Sequence, residues 1–392
     1  MVASKGTRGP LRSVRVLDLS RLLPGPFCSL ILGELGAEVL KVEDCGTGDY
    51  LRLFPPQRAG VGGAFYAVNR GKRSLALDLK RPEGRDILLR LLPGYHVVLE
   101  SFRPGVLDRL GLSFDELRAV NPDVILCSIT GYGQDGPLAQ RAGHDIDYIA
   151  LAGALSMGGE AGGAPALPGV QIADFSGGLW AAVQILAALH GSGGVHLDVS
   201  MTEGALAFLL PYLGEVAFGA EPPRRGEHAL GGGAACYGTY ATADGRHLAV
   251  GALEPKFLTA LAAALDLSKE AASTPPHAPA EEQAVLRDEI RNTLAGATRD
   301  EWAARLAPAD ACVEPVLEMD ELSDHPQHRH RGVFYTLDDP ERGPVEQLRV
   351  PGGTDPATTP APRHGEHTDE VLGELGLRPD EIAALRQAGV VR

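Results

Sequence analysis

Short β-rich runs alternate with helical stretches through the first 130 residues, and this alternation leaves few folds open to the chain. Residues 14–19 (VRVLDL), 38–42 (EVLKV), 74–79, 96–99 and 123–129 read as strands, while residues 27–35, 83–92 and 114–120 read as helices. In the turn after the first strand (SRLLPGP), Pro26 suits a first helical position, because its missing N–H would have no helical partner there. Gly36 suits the stop. Strands and helices at this spacing form βαβ units, so the pattern predicts an α/β, Rossmann-like domain with a parallel sheet. No GxGxxG follows the first strand and no GxxxxGK[ST] occurs, which argues against an ordinary dinucleotide or P-loop site.

Beyond residue 150 the texture changes. Residues 157–168 (MGGEAGGAPALP) form a glycine-rich loop, 179–190 an apolar helix, and 222–235 a linker with a mobile loop. Residues 237–252 alternate like a hairpin around Asp244-Gly245, and helices follow at 256–265 and 281–294. This segment reads as a smaller α+β domain. A Pro-rich stretch, 351–362, leads to a last helix at 367–375.

The 36 Lys and Arg against 51 Asp and Glu leave a formal charge of −15, which argues against non-specific binding to nucleic acid or an anionic membrane. Cys28, Cys45, Cys127, Cys236 and Cys312 are scattered, with no CxxC pair, which fits reduced thiols rather than disulfides or zinc. The first residues lack an apolar signal core, and no apolar run approaches the roughly 18 residues of a membrane span. The expectation is a soluble, cytoplasmic protein.

The chemistry concentrates in GHDIDYIALAG (143–153) and ADFSGG (173–178). Taken alone, His144 is more often structural, and Asp174 reads as a helix N-cap. At a helix N-terminus Asp174 would stay ionised. Together, an imidazole and a carboxylate can take a proton from one face of a substrate and return it from another.

These segments, with VLDLSRLLPGPFCSLILGELGAEVLKVE (16–43), NRGKRSLALDLK (69–80), ESFRPGVLDRLGLS (100–113), LDVSMTEGAL (197–206), ADGRHLAVGALEPKF (243–257) and GEHTDEVLGELG (365–376), occur in an order that resembles the family III CoA-transferases (CaiB/BaiF). Within that family the chain resembles the α-methylacyl-CoA racemase branch. The resemblance implies a large Rossmann-like CoA-binding domain with linker helices over 1–222, a small α+β domain over 223–335, and a C-terminal return to the large domain over 336–392. It implies an interlocked homodimer acting on acyl-CoA, with no metal and no cofactor beyond the coenzyme A of the substrate.

Carried over residue by residue, the resemblance makes His144 and Asp174 the two bases, Glu254 the partner that orients the imidazole, and the Asp145 N–H a donor to the enolate oxygen. Without it, Glu254 reads as an exposed acid before Pro255. The phosphates of CoA need local cations. Arg70, Lys72 and Arg73, with Asn69 beside them, form a basic cluster, and Arg103 and Lys41 are further candidates; each cation could equally be a solvated surface charge, less so the cluster as a whole.

Two chemistries stay open at Asp174: proton transfer, or the nucleophilic attack by which transferases of this family form an acyl anhydride. His144 and Glu254 favour the racemase. The glycine-rich loop 230–236 (LGGGAAC) points toward a transferase flap or a substrate lid. A third class binds CoA esters without turnover or uses the enolate for another end. Asp147 stands where the racemase pattern has Asn, and its charge would either raise the imidazole pKa or face solvent.

Overall fold

The structure, a computed structural model, describes residues 9–354 and 356–392. Six parallel strands form the main sheet: β1 (Arg15–Asp18), β2 (Glu38–Glu43), β3 (Arg73–Ala76), β4 (Val97–Glu100), β5 (Ile125–Thr130) and β6 (Val195–Ser200). Their order is β3-β2-β1-β4-β5-β6. The first four strand-like runs of the sheet are almost wholly buried, as befits a parallel sheet covered on both faces.

Helix α1 (Pro24–Glu34) follows β1 and starts two residues earlier than Pro26 suggests, with Leu23 as its N-cap residue. Pro26 is nevertheless tolerated, because N–H groups of the first turn have no acceptor within the helix. The described chain divides into two compact units. One comprises the chain through Ala152, then Val170–Ala207 and Gln327–Arg392; the other comprises Gly153–Gly169 and Phe208–Pro326. The crossings therefore fall at Phe208 and Gln327, ahead of the expected 223 and 336, and the glycine-rich loop at 157–168 belongs to the smaller unit.

In the larger unit, Leu17, Leu40, Leu75, Val98 and Leu126 pack in one cluster with Val371, Leu372, Ile382, Val390 and Val391 from the C-terminal residues. Val391 bridges Leu77, and Asp78 N–H donates to the Val390 carbonyl at 2.9 Å, so the tail closes on the β3 side of the sheet. In the smaller unit, an antiparallel sheet of β7 (Tyr237–Ala241), β8 (His247–Gly251) and β9 (Val313–Pro315) carries the expected hairpin. The middle of the 230–236 loop is tied down there. Arg287 donates to the carbonyls of Gly232 and Gly233 at 2.9 and 3.0 Å, and Ala234–Cys236 are buried. All five cysteines are free thiols.

The basic cluster is where sequence and structure part. Lys41 is fully buried and pairs with Asp49 at 3.0 Å; Lys72 pairs with Asp18 at 3.1 Å and donates to Asn69 Oδ1 at 2.8 Å. Arg70 is buried against Glu34, and Asn69 is buried with its amide on the Phe65 carbonyl at 3.0 Å. Burial alone would raise the Asp18 carboxyl, but Lys72 and Lys41, with the hydroxyls of Ser20 and Ser29, hold it at about 2. Burial brings Lys72 down to about 8 against the pull of Asp18. A buried charge without a partner is too costly to keep, so each cation here has an acid of its own. Arg73, part-buried, reaches Glu38, Glu370 and Glu374. Lys41, Arg70, Lys72 and Arg73 are thus engaged within the chain, contrary to a role as free cations for phosphate, and the Asn69 amide is likewise taken up.

Candidate active site

The strand order sets where a ligand can sit. From β1 the chain builds outward through β2 and β3, then returns to place β4 on the other side of β1. The loops after β1 and β4 therefore diverge and open a crevice at the carboxyl ends of the strands. Two bonds join these loops: Leu19 N–H donates to the Leu99 carbonyl at 2.7 Å, and Arg21 N–H to Ser101 Oγ at 3.1 Å. A cleft of about 490 Å³ lies there, lined by Arg21, Phe102, Arg103, Tyr132, Arg141, His144, Asp147, Tyr148, Asp174 and Met201. A smaller cavity of about 130 Å³ at the ends of β1 to β3 shares Arg21 and Phe102 with it and adds Lys80.

Two helix starts deliver the titratable groups. His144 is the N-cap residue of α2 (Asp145–Leu151), and its backbone N–H donates to Asp147 Oδ2 at 2.9 Å. Asp147 is therefore engaged in capping its own helix, the role that its charge has here. The backbone ahead of His144 is pinned by buried Tyr148, whose hydroxyl donates to the Gly143 carbonyl at 2.5 Å. A Cβ on Gly143 would lie 2.7 Å from the Tyr148 ring, so only glycine admits this closeness.

Asp174 lies in the first turn of α3 (Ile172–Ala188), three residues past the N-cap Gln171. It is not the cap. That function comes from a different helix: Asp145 Oδ1 accepts the N–H groups of Ala173 at 2.6 Å and Asp174 at 3.1 Å. A Cβ on Gly178 would stand 2.7 Å from the Pro24 carbonyl, and the ring of Phe175 meets Phe27 edge-on at 4.8 Å. The SGG of the motif thus lets the start of α1 close on α3.

Burial, then the neighbouring Asp145, pushes the Asp174 carboxyl up to about 6, against the opposing pull of His144. Desolvation and a like charge outweigh the field of the helix end, so the carboxyl lies well above its ordinary value and is mostly ionised only above about pH 6. A carboxyl poised near neutrality can both take and return a proton, and it shares the cleft with an imidazole.

Of the other sequence candidates, Arg103 lines the cleft. Glu254 is in the smaller unit, exposed, as the N-cap residue of α4 (Pro255–Leu265). Arg21 and Arg141 escaped the sequence reading. Arg21 stands three residues beyond β1, at the switch point, and its guanidinium lies 5.5 Å from the Tyr50 ring and 5.4 Å from that of Phe102. Its place just after the first strand was the available signal.

Comparison with known proteins agrees with this architecture. The chain is 39% identical over 392 residues to "Alpha-methylacyl-CoA racemase" of Mus musculus, covering 97% of each chain. It is 33% identical over 403 residues to "Succinyl-CoA:glutarate CoA-transferase" of Homo sapiens, covering 97% of this chain and 90% of that one. A crystal structure of a CAIB/BAIF family protein from Brucella suis superposes with a TM-score of 0.82 at 30% identity, over 94% of this chain and all of the other. Residues 11–368 match CoA-transferase family III, and with relatives aligned from end to end, the chain belongs to that family of enzymes acting on CoA thioesters.

Proposed function

We propose that the protein interconverts the enantiomers of a 2-methyl-branched acyl-CoA by two-base proton transfer. The observation that carries this reading is the pairing of His144 with an Asp174 whose carboxyl is poised near 6 in one cleft. An α-hydrogen beside a thioester carbonyl is weakly acidic, so its removal needs a base in place and an enolate that is stabilised. Asp174 takes or returns the proton on one face and His144 on the other. The Asp145 N–H opens α2 and has no acceptor inside the helix, so it is free to meet the enolate oxygen. Arg21, Arg103 and Arg141 are the cations that face the CoA phosphates, in place of the buried cluster at 69–73.

A second reading has its own support in the resemblance to a named CoA-transferase: Asp174 attacks the thioester carbonyl, giving an acyl anhydride and CoA thiolate; the thiolate attacks the Asp174 carbonyl, releasing the donor acid and leaving a CoA thioester on Asp174, and an acceptor carboxylate takes CoA by the same steps in reverse. The two part at His144→Ala. With 2-methylacyl-CoA in deuterated water and no acceptor acid, the racemase incorporates deuterium at the α-carbon. His144→Ala should then lose exchange from at least one enantiomer and keep CoA binding. Wild-type-like exchange from both enantiomers in the variant would end the racemase assignment, and CoA migration only with an acceptor would establish the transferase.

A further inference from the structure

Behind the loop that joins β4 to the cleft lies a chain of polar groups that the reaction above leaves unused. Glu100, the last residue of β4, is buried, and its Oε2 accepts the Phe102 N–H at 2.6 Å. Its carboxyl also meets the Ser128 hydroxyl, and Ser128 Oγ stands 2.9 Å from His196 Nε2. Glu100 and Ser128 are register partners on β4 and β5, and His196 comes from the adjoining β6. All three line a cavity of about 390 Å³, which Arg103 shares with the candidate active site.

A serine hydroxyl has one proton to give. While Ser128 donates to an ionised Glu100, His196 must present Nε2–H to Ser128. Once Glu100 is protonated it can donate to Ser128, whose own proton then turns toward a bare Nε2. The charge on Glu100 and the tautomer of His196 are therefore tied together through one hydroxyl.

We propose that Glu100, Ser128 and His196 are a positioning relay, in which ionised Glu100 holds residues 101–104 through the Phe102 N–H in the conformation that binds coenzyme A. The proposal rests on the thioester reading above. Burial, with Asp108 and Asp198 adding to it, moves the Glu100 carboxyl up to about 7 against the bonds from Ser128 and Phe102. Partial burial lowers His196, with Asp198 and Asp108 opposing. Arg103 and Asp115 also line the cavity, and burial pushes the adjacent Cys127 thiol up. As the pH falls through about 7, Glu100 takes a proton and the charge-assisted bond to Phe102 becomes a weaker neutral one. Grip on CoA then declines. Plain repulsion between Glu100 and the phosphates would have the opposite sign.

The test is the dissociation constant of coenzyme A, measured by calorimetry on the full-length protein at pH 8 and pH 6, for wild type and Glu100→Gln. Gln keeps the shape and an acceptor but never the charge, and taking the ratio of variant to wild type cancels the titration of the ligand itself. The ratio should be about five at pH 8, the difference between a charged and a neutral hydrogen bond, and fall toward one at pH 6. A ratio unchanged with pH, or below one at pH 8, would overturn the proposal. A second measurement stands even if that variant does not fold. In imidazole ¹H–¹⁵N spectra of histidine-labelled protein, His196 should show an inflection from Glu100 that Ser128→Ala removes. An unaltered His196 titration in Ser128→Ala would refute the relay. Absence of CoA binding by wild type at either pH would remove the thioester reading, and the spectra still judge the relay.

Discussion

Asp174 joins stability to chemistry in one carboxyl. As a base it must be ionised, so turnover in the direction where it takes the proton should fall about tenfold per pH unit below about 6, seen in the pH dependence of kcat for each enantiomer separately. The same shift bears on folding. The carboxyl binds its proton more tightly folded (about 6) than at its ordinary 3.8, so its favourable contribution is full below 3.8 and is lost as the pH rises through about 6. Asp174→Asn should therefore abolish exchange while making the protein more stable than wild type at pH 8, by on the order of 2 kcal/mol, with the gap closing toward pH 4 in thermal melts. Lys72→Ala should behave oppositely. It leaves Asp18 buried without its partner, so stability drops by about 3 kcal/mol or more, read as a fall in denaturation midpoint. The sequence showed the charges at 69–73 but not the acids across from them. Asp18 and Glu34 lie dozens of residues away and meet Lys72 and Arg70 only through the sheet and α1. His144 and Asp174 were legible because their motifs are local. The perturbation of Asp174 was not, because it comes from burial and from Asp145.

At the scale of elements, the decisive joint is between α2 and α3, where one side chain, Asp145, serves the helix that carries Asp174. Asp145→Ala should cost about 1 kcal/mol of stability through the lost cap. It also removes a like charge, so the acid limb of the pH–rate profile should move to lower pH. A melt showing the loss with the limb unmoved would mean that the charge of Asp145 does not reach Asp174. Of the first five strands of the sheet, four were readable from their apolar runs within a residue or two, while the third, expected to reach residue 79, ends at Ala76. The sixth was not: β6 is an edge strand in which His196 and Asp198 are exposed, so no continuous apolar run marks it. Strand order was out of reach as well, because it is settled by packing across the sheet. Yet the order is what places the crevice, and with it Arg21.

At the scale of the molecule, the larger unit leaves Leu179, Trp180 and Val183 on α3 at 48%, 40% and 53% exposure, on one helical face, with Leu151 at 57% and Leu206 at 41%. Apolar surface grouped in this way marks an interaction site, and a second copy of the chain is the occupant that the family resemblance implies. Sedimentation at micromolar concentration should give a dimer, and a monodisperse monomer would refute it. The closing of the C-terminal residues on β3 has a further consequence, in the time order of synthesis. Residues 371–391 complete a core begun by Leu17 and Leu40, so those strands wait for residues synthesised long after them before their apolar side is covered. Throughout that interval the nascent sheet has an open flank, and a chain stalled short of Val390 and Val391 would be a substrate for chaperones and proteases rather than a slightly shortened enzyme.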